Sequence, residues 1–355
     1  MPFTTYVLPH WTPSVSSQYP QIGTRFKPPA ELHSPFYPLA GPYSSSDPAL
    51  LRRHFREMRA AGVGVAAVSW WGPSWRQNTT DTQGVSTDAL LPVLLEAAEA
   101  EGMAVSLHLE PYPGRTAATV RDDLLYLMRR VGGSPALLRH RGLPVFFVYD
   151  SYHIPPGDWA KLLQPGGELS LRGTEADGIF IGLWLNQNDG EKQLLPGGFD
   201  GFYTYFSSEA VSYGANPSNW PELGRWARQH GKLFIPSVGA GYDDSTIRPW
   251  NAAATRDREG GARYRRWWAA ALEASPAAIS ITSFNEWGEG TQIEAARVFP
   301  AASSSGDAPV YQTYGTVPGQ DEFLYLNLTA EYAWRWQQRQ QQAWQIGDAD
   351  VHAEL

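Results

Sequence analysis

The 355-residue chain contains no cysteine. Disulfide staples, thiolate metal sites and a cysteine nucleophile are therefore excluded. It is also short of charge: 18% of residues are Asp, Glu, Lys or Arg, against 43% hydrophobic. That balance describes a folded globular protein rather than a disordered one. Positive charge is the scarcer sign, since 28 Lys and Arg face 36 Asp and Glu for a formal net charge of −8. No nucleic-acid partner is expected of such a chain. No run of about 18 apolar residues occurs, so no membrane-spanning segment is expected. Residues 1–13 lack a basic start followed by an apolar stretch, so no signal peptide is read there, and the residues assign no compartment. The 8 histidines are scattered, without H-E-x-x-H or a close pair, so neither a metal nor another cofactor is expected. The nucleotide signatures G-x-G-x-x-G and G-x-x-x-x-G-K-[ST] and the serine-hydrolase elbow G-x-S-x-G are missing as well.

Glycine (34), proline (28) and aromatics (15 Trp, 17 Tyr, 14 Phe) are abundant. Many turns are implied, and aromatics on loops suit flat, polar-edged ligands such as sugars, although most single aromatics serve the core. Residues 1–46, rich in Pro, Ser and Tyr, read as irregular. Asp47-Pro48 then reads as an N-cap with proline at the first helical position, opening a helix that Gly62 ends. From there apolar runs alternate with helical patterns. Seven strands are predicted, at 63–69, 103–109, 143–149, 178–183, 199–206, 232–238 and 278–284, with helices between them and a closing helix over 322–342. This alternation predicts one α/β domain over residues 1–355, most simply a (β/α)8 barrel, with a doubly wound open sheet as the alternative.

The predicted strands end in polar and aromatic groups: Ser69-Trp70-Trp71, His108 to Tyr112, Tyr149 to Tyr152, Tyr203 to Phe206, and Ser283 to Glu289. In a parallel barrel these ends meet on one face, where barrel enzymes keep their active sites. Glu286 and Glu289 form the sharpest pair. Two carboxylates flanking an acetal are the equipment of glycoside hydrolysis, and Trp287 between them is expected to wall the pocket. The competing reading is a capping box, with Asn285 and nearby Glu side chains closing a helix terminus. His108 reads as structural or as a hydrogen-bond donor to substrate.

At these residues the chain resembles the endo-acting α-mannosidases of glycoside hydrolase family 99. The resembling blocks are collinear over about 36–330: Phe36-Tyr37-Pro38 through Gly41-Pro42-Tyr43, Ser69-Trp70-Trp71, His108 to Tyr112, Phe147 to Tyr152, Gly198 to Phe206, Phe234 to Gly239, Ile247 to Asn251, and Ile279 to Glu294. The resemblance implies a (β/α)8 barrel, a monomer, that cuts internal α-mannosyl linkages with retention and without a metal or cofactor. Glu289 matches the general acid/base. Glu286 matches the partner that draws the proton from the substrate's own 2-hydroxyl, so that a 1,2-anhydro sugar forms in place of a glycosyl-enzyme ester, a departure from the common retaining scheme. Glu110 and Tyr203 match residues lining the reacting-sugar site. Trp71, Tyr149, Arg248, Trp250, Asn251 and Asn285 fall in family blocks and are carried over as substrate-binding residues.

Two departures from the family pattern stand out. Members carry an aromatic first strand upstream of the His10-Trp11 segment, and here that strand is expected to be missing or replaced by Phe3–Leu8, leaving exposed neighbouring edges. Trp71 stands where animal members, which work in the Golgi lumen, carry Tyr and mannan-cleaving bacterial members carry Trp. The expected substrate is accordingly an N-glycan or α-mannan. The alternative is a catalytically inactive sugar-binding barrel from a truncated gene, which the carboxylate pair argues against.

Overall fold

The computed structural model describes residues 26–76, 79–80, 86–299 and 311–346. Helix α1 (Pro48–Ala60) starts where the Asp47 side chain accepts a hydrogen bond from the Ala49 amide, with Pro48 just inside. Leu50, Leu51, Phe55 and Met58 form its buried stripe. Gly62 ends it at φ +79°, where an added Cβ would sit 2.6 Å from Ala333 Cβ. Only glycine accepts both constraints.

Six strands follow in one parallel succession: β1 (Val65–Trp70), β2 (Ala104–Leu109), β4 (Leu143–Val148), β5 (Ile179–Leu183), β6 (Gly201–Tyr203) and β7 (Leu233–Ile235). A two-residue β3 (Arg139–His140) pairs antiparallel with β4. Pro236, which has no N–H to give a ladder, separates β7 from β8 (Ser237–Val238), and β8 pairs in parallel with β9 (Ser280–Ile281). Side chains carry the succession across this break. The Ser237 amide donates to Thr204 Oγ1 (2.9 Å) and the Tyr205 amide to Ser237 Oγ (2.7 Å). The seven predicted strands are thus the seven parallel staves, in sequential order. Among the described residues no order reversal occurs, which removes the doubly wound alternative, and the fold is of the (β/α)8 class.

Two strands are much shorter than predicted. The 199–206 strand stops at Tyr203 because Tyr205 takes a left-handed φ of +53°. The 278–284 strand shrinks to Ser280–Ile281 because residues 283–294 fold back: the Ser283 amide bonds Thr291 O, and the Ile293 amide bonds Ser283 O.

Side-chain parity divides the sheet. Phe146, Phe180, Phe202 and Phe234 point outward to the helices, with Phe146–Phe180 and Phe202–Phe234 stacked. Val145, Phe147, Ile181, Leu183, Tyr203 and Ile235 form a separate inner cluster. The helices that cover the outer face are α2 (Leu91–Ala100), α3 (Ala117–Val131), α4 (Pro156–Leu163), α5 (Trp220–His230), α6 (Ala262–Glu273) and α7 (Leu324–Ile346). Helix α7 packs on α6 through Tyr264–Tyr325 and Trp268–Tyr332 ring contacts. Residues 26–46, expected to be irregular, contain no helix or strand but are pinned by bridges Phe36↔Gln312 and Pro38↔Ala296.

Among the described residues β1 has a strand neighbour on one side only, and its alternate residues Val65, Ala67 and Ser69 are exposed. The predicted replacement strand Phe3–Leu8 lies outside the described residues.

Candidate active site

The strand ends converge as predicted from the alternation. At β2, His108 and Glu110 are buried, at 6% and 7% exposure. Ser69 Oγ from β1 donates to Glu110 Oε1 (2.8 Å), His108 Nδ1 lies 2.5 Å from the same oxygen, and His108 Nε2 lies 2.8 Å from Tyr203 Oη at the end of β6. A proton on Nδ1 directed to the carboxylate leaves Nε2 to accept from the tyrosine hydroxyl. The His108 ring also stacks obliquely on Tyr149 and Tyr205, whose own centroids are 4.6 Å apart. Burial, with Glu110 next in weight, pushes the Tyr203 phenol well up. For Tyr205 burial again leads and the charge of Glu289 follows. Three strand ends therefore form one aromatic wall facing the carboxylates.

Glu286 and Glu289 sit on the fold-back after β9. Glu286 is held through its amide to Ser283 Oγ (2.8 Å), and Trp287–Glu289 form a single 3₁₀ turn. That turn carries no side-chain cap hydrogen bond. The capping-box reading therefore fails: Asn285 Nδ2 instead donates to Tyr43 Oη (3.3 Å). Trp287, expected as a pocket wall, is 3% exposed and turned inward. Burial first, and the charge of Glu289 second, raise the Glu286 carboxyl to about 8. Crowded carboxylates in a poorly solvated site cannot both be ionised cheaply.

Glu289 has a different partner. Arg248 Nη1 donates to Glu289 Oε1 (2.9 Å) and to Asp244 Oδ2 (3.2 Å). Tyr242 Oη and Asn251 Nδ2 also donate to Asp244 Oδ2, both at 2.9 Å, and Asp244 is fully buried. Burial works against the guanidinium charge, but Glu289 and Asp244 outweigh it and raise the Arg248 pKa. Arg248 thus ties Glu289 to the buried Asp244 cluster.

Of the residues singled out from sequence, Glu286, Glu289, Glu110, Tyr149, Tyr203 and Arg248 interact across one space. Asn251 reaches it through Asp244, and Asn285 turns away toward Tyr43. Trp71 follows β1 directly and is partly exposed; Trp250 precedes Asn251 in the 3₁₀ segment Pro249–Ala254 and is partly exposed too. Tyr205 lies in the predicted strand-end set and Tyr43 in a family block, neither with a role assigned, and sequence reasoning missed Tyr242, Asp244 and Glu294 as site-building residues. Glu294 lies within a family block, and Asp244 stands four residues before Arg248, but no spacing rule singles either out. Among the described residues no group of His, Asp and Glu could hold a metal ion, and no helix is long and apolar enough to cross a membrane.

A family model described as Glycosyl hydrolase family 99 matches residues 2–338. The chain is 40% identical over 332 residues to the glycoprotein endo-alpha-1,2-mannosidase of Rattus norvegicus, covering 92% of this chain and 69% of that one. It is 41% identical to the glycoprotein endo-alpha-1,2-mannosidase-like protein of Homo sapiens, with the same two shares covered. A solved structure of the GH99 endo-alpha-mannosidase from Bacteroides thetaiotaomicron matches with a TM-score of 0.77 at 42% identity, covering 87% of this chain and 85% of that chain. With paired carboxylates at the strand ends of an α/β barrel and similarity across almost the whole length, the chain belongs to glycosyl hydrolase family 99 and is a glycoside hydrolase.

Proposed function

We propose that the chain is a retaining endo-α-mannosidase that cleaves internal α-mannosyl linkages in N-glycans or α-mannan, with Glu286 and Glu289 as its catalytic residues. The observation that carries the assignment is the unequal setting of the two carboxylates: Glu286 is raised to about 8 beside a Glu289 held by Arg248. Such a pair holds one proton near neutral pH, and that proton has two possible seats. At rest it sits on Glu286. Catalysis uses the other arrangement, with Glu289 protonated and Glu286 ionised.

Glu286 removes the proton of the sugar 2-hydroxyl while O2 attacks C1. The C1–oxygen bond to the leaving sugar breaks, and Glu289 protonates the departing oxygen. A 1,2-anhydro sugar results. Water then attacks C1 as Glu289 takes its proton, the C1–O2 bond opens, and Glu286 returns the proton to O2. Two inversions at C1 give net retention. Tyr149, Tyr203 and Glu110 line the reacting sugar, Trp250, Asn251 and Asn285 support its surroundings, and Trp71 meets the preceding sugar. The similarity to an endo-alpha-1,2-mannosidase and to an endo-alpha-mannosidase supports this substrate class.

Incubation with α-mannan and with a glucosylated mannose oligosaccharide, followed by NMR of the first-formed anomer, tests the proposal. Release of a disaccharide with retained configuration is expected. Binding without turnover would favour the inactive sugar-binding barrel, and an inverted product would exclude the anhydro route.

A further inference from the structure

Behind the catalytic turn lies a carboxylate with no place in the reaction. Glu294 is 2% exposed, and its only ion-pair partner among the described residues is His54 of α1 (3.1 Å). Its other oxygen accepts from Tyr43 Oη (2.6 Å) and from the Trp287 indole Nε1 (3.0 Å). The same indole nitrogen is 3.0 Å from Tyr43 Oη, which also takes Asn285 Nδ2. The Glu294 amide closes the fold-back by bonding Phe284 O (2.9 Å). A buried carboxylate is expensive, and well-packed apolar side chains would serve stability at least as well. What Glu294 provides is geometry. Trp287 is one of the two residues between Glu286 and Glu289 and opens a turn three residues long, with no side-chain cap of its own. Fixing its indole fixes the backbone from which both carboxylates project.

We propose that Glu294 is a positioning residue: it grips the Trp287 indole, with Tyr43 and His54 completing the grip, and so sets the separation and aim of Glu286 and Glu289. The inference rests on the function proposed above. Reacting groups must be held to within fractions of an ångström, and a displacement of about 1 Å costs on the order of 100-fold in rate.

The test measures kcat and KM for the wild type, Glu294→Gln, Trp287→Phe and the double variant on α-mannan oligosaccharides, with Tm recorded for each. Glu294→Gln replaces one accepting oxygen by a donor. It is expected to lower kcat by about 10- to 100-fold with KM within about two-fold, because the sugar-lining side chains stay in place. Trp287→Phe should lose a similar factor, and the double variant no more than either single one, since both cut the same link. Tyr43→Phe, a milder change, should lower kcat less and leave KM alone. An indole ¹⁵N–¹H NMR signal that vanishes in Trp287→Phe should move in Glu294→Gln, a readout independent of turnover. Full kcat in a folded Glu294→Gln, losses that multiply in the double variant, or an unmoved indole signal would each overturn the grip. A wild type that turns over no α-mannoside would instead refute the proposed function, leaving the NMR result to decide on Glu294.

Discussion

At the residue scale, the Glu286 proton governs how the site depends on pH. Its carboxyl is raised to about 8 by burial and by Glu289, and catalysis needs one proton in the pair. Activity is therefore expected to fall as pH rises through about 8, where that proton is lost, and a pH profile of kcat/KM reads it directly. A profile flat to pH 10 would exclude a shared proton. Glu289→Gln removes the group proposed to protonate the leaving oxygen. On natural glycans it should lose about 10²- to 10⁴-fold, and far less on an α-mannosyl fluoride, whose leaving group needs little protonation. Equal losses on both would contradict the acid role. The role proposed for Trp71 bears on choice of substrate rather than rate. An indole cannot hydrogen-bond the equatorial 2-hydroxyl of glucose through an oxygen, whereas a tyrosine can, directly or through water. One such bond is worth roughly 0.5–1.5 kcal/mol, about 2- to 12-fold. The enzyme is expected to prefer mannose-α-1,3-mannose over glucose-α-1,3-mannose donors, and Trp71→Tyr to move the kcat/KM ratio toward glucose by that factor.

At the scale of elements, the strands were legible because parallel strands are buried on both faces and read as apolar runs. Their ends were not. Nothing local shows that the succession of strands survives Pro236 by borrowing Thr204 Oγ1, or that Tyr205 turns left-handed after Tyr203. The carboxylate pair was legible for the same local reason: Glu286 and Glu289 follow a predicted strand within six residues. Their partners were hidden by distance along the chain, with Arg248 41 residues from Glu289 and Tyr43 251 residues from Glu294. Long-range polar contacts leave no periodicity to read. Val145, a 1% exposed member of the inner cluster, is the position to probe. Val145→Thr keeps the shape but buries a hydroxyl, and should lower the unfolding free energy by about 1–3 kcal/mol in urea titration. Val145→Asp should yield no soluble folded protein. Near-wild-type unfolding of both would mean that the inner cluster does not stabilise the strands.

For the whole molecule, the site and the fold make opposing demands, and Glu286 shows the sign of the conflict. Its carboxyl titrates at about 8 in the folded protein and at an ordinary 4.5 when unfolded. Between those values the native state binds the extra proton, so stability falls as pH rises through that window and the deficit is complete above about 8. Partial exposure of the residue trims the effect. Glu286→Gln removes the charge and keeps the shape, so it should abolish turnover while raising Tm. The gain should be near zero at pH 4 and reach a few degrees at pH 9, the scale expected for roughly 1–2 kcal/mol in a domain of this size. Calorimetric scans of both proteins at the two pH values check this. A Tm gain equal at pH 4 and pH 9 would show that the effect is not electrostatic. A marked fall in Tm would mean that Glu286 supports the turn after β9 rather than straining it, and the assignment of that carboxylate to chemistry would have to be withdrawn.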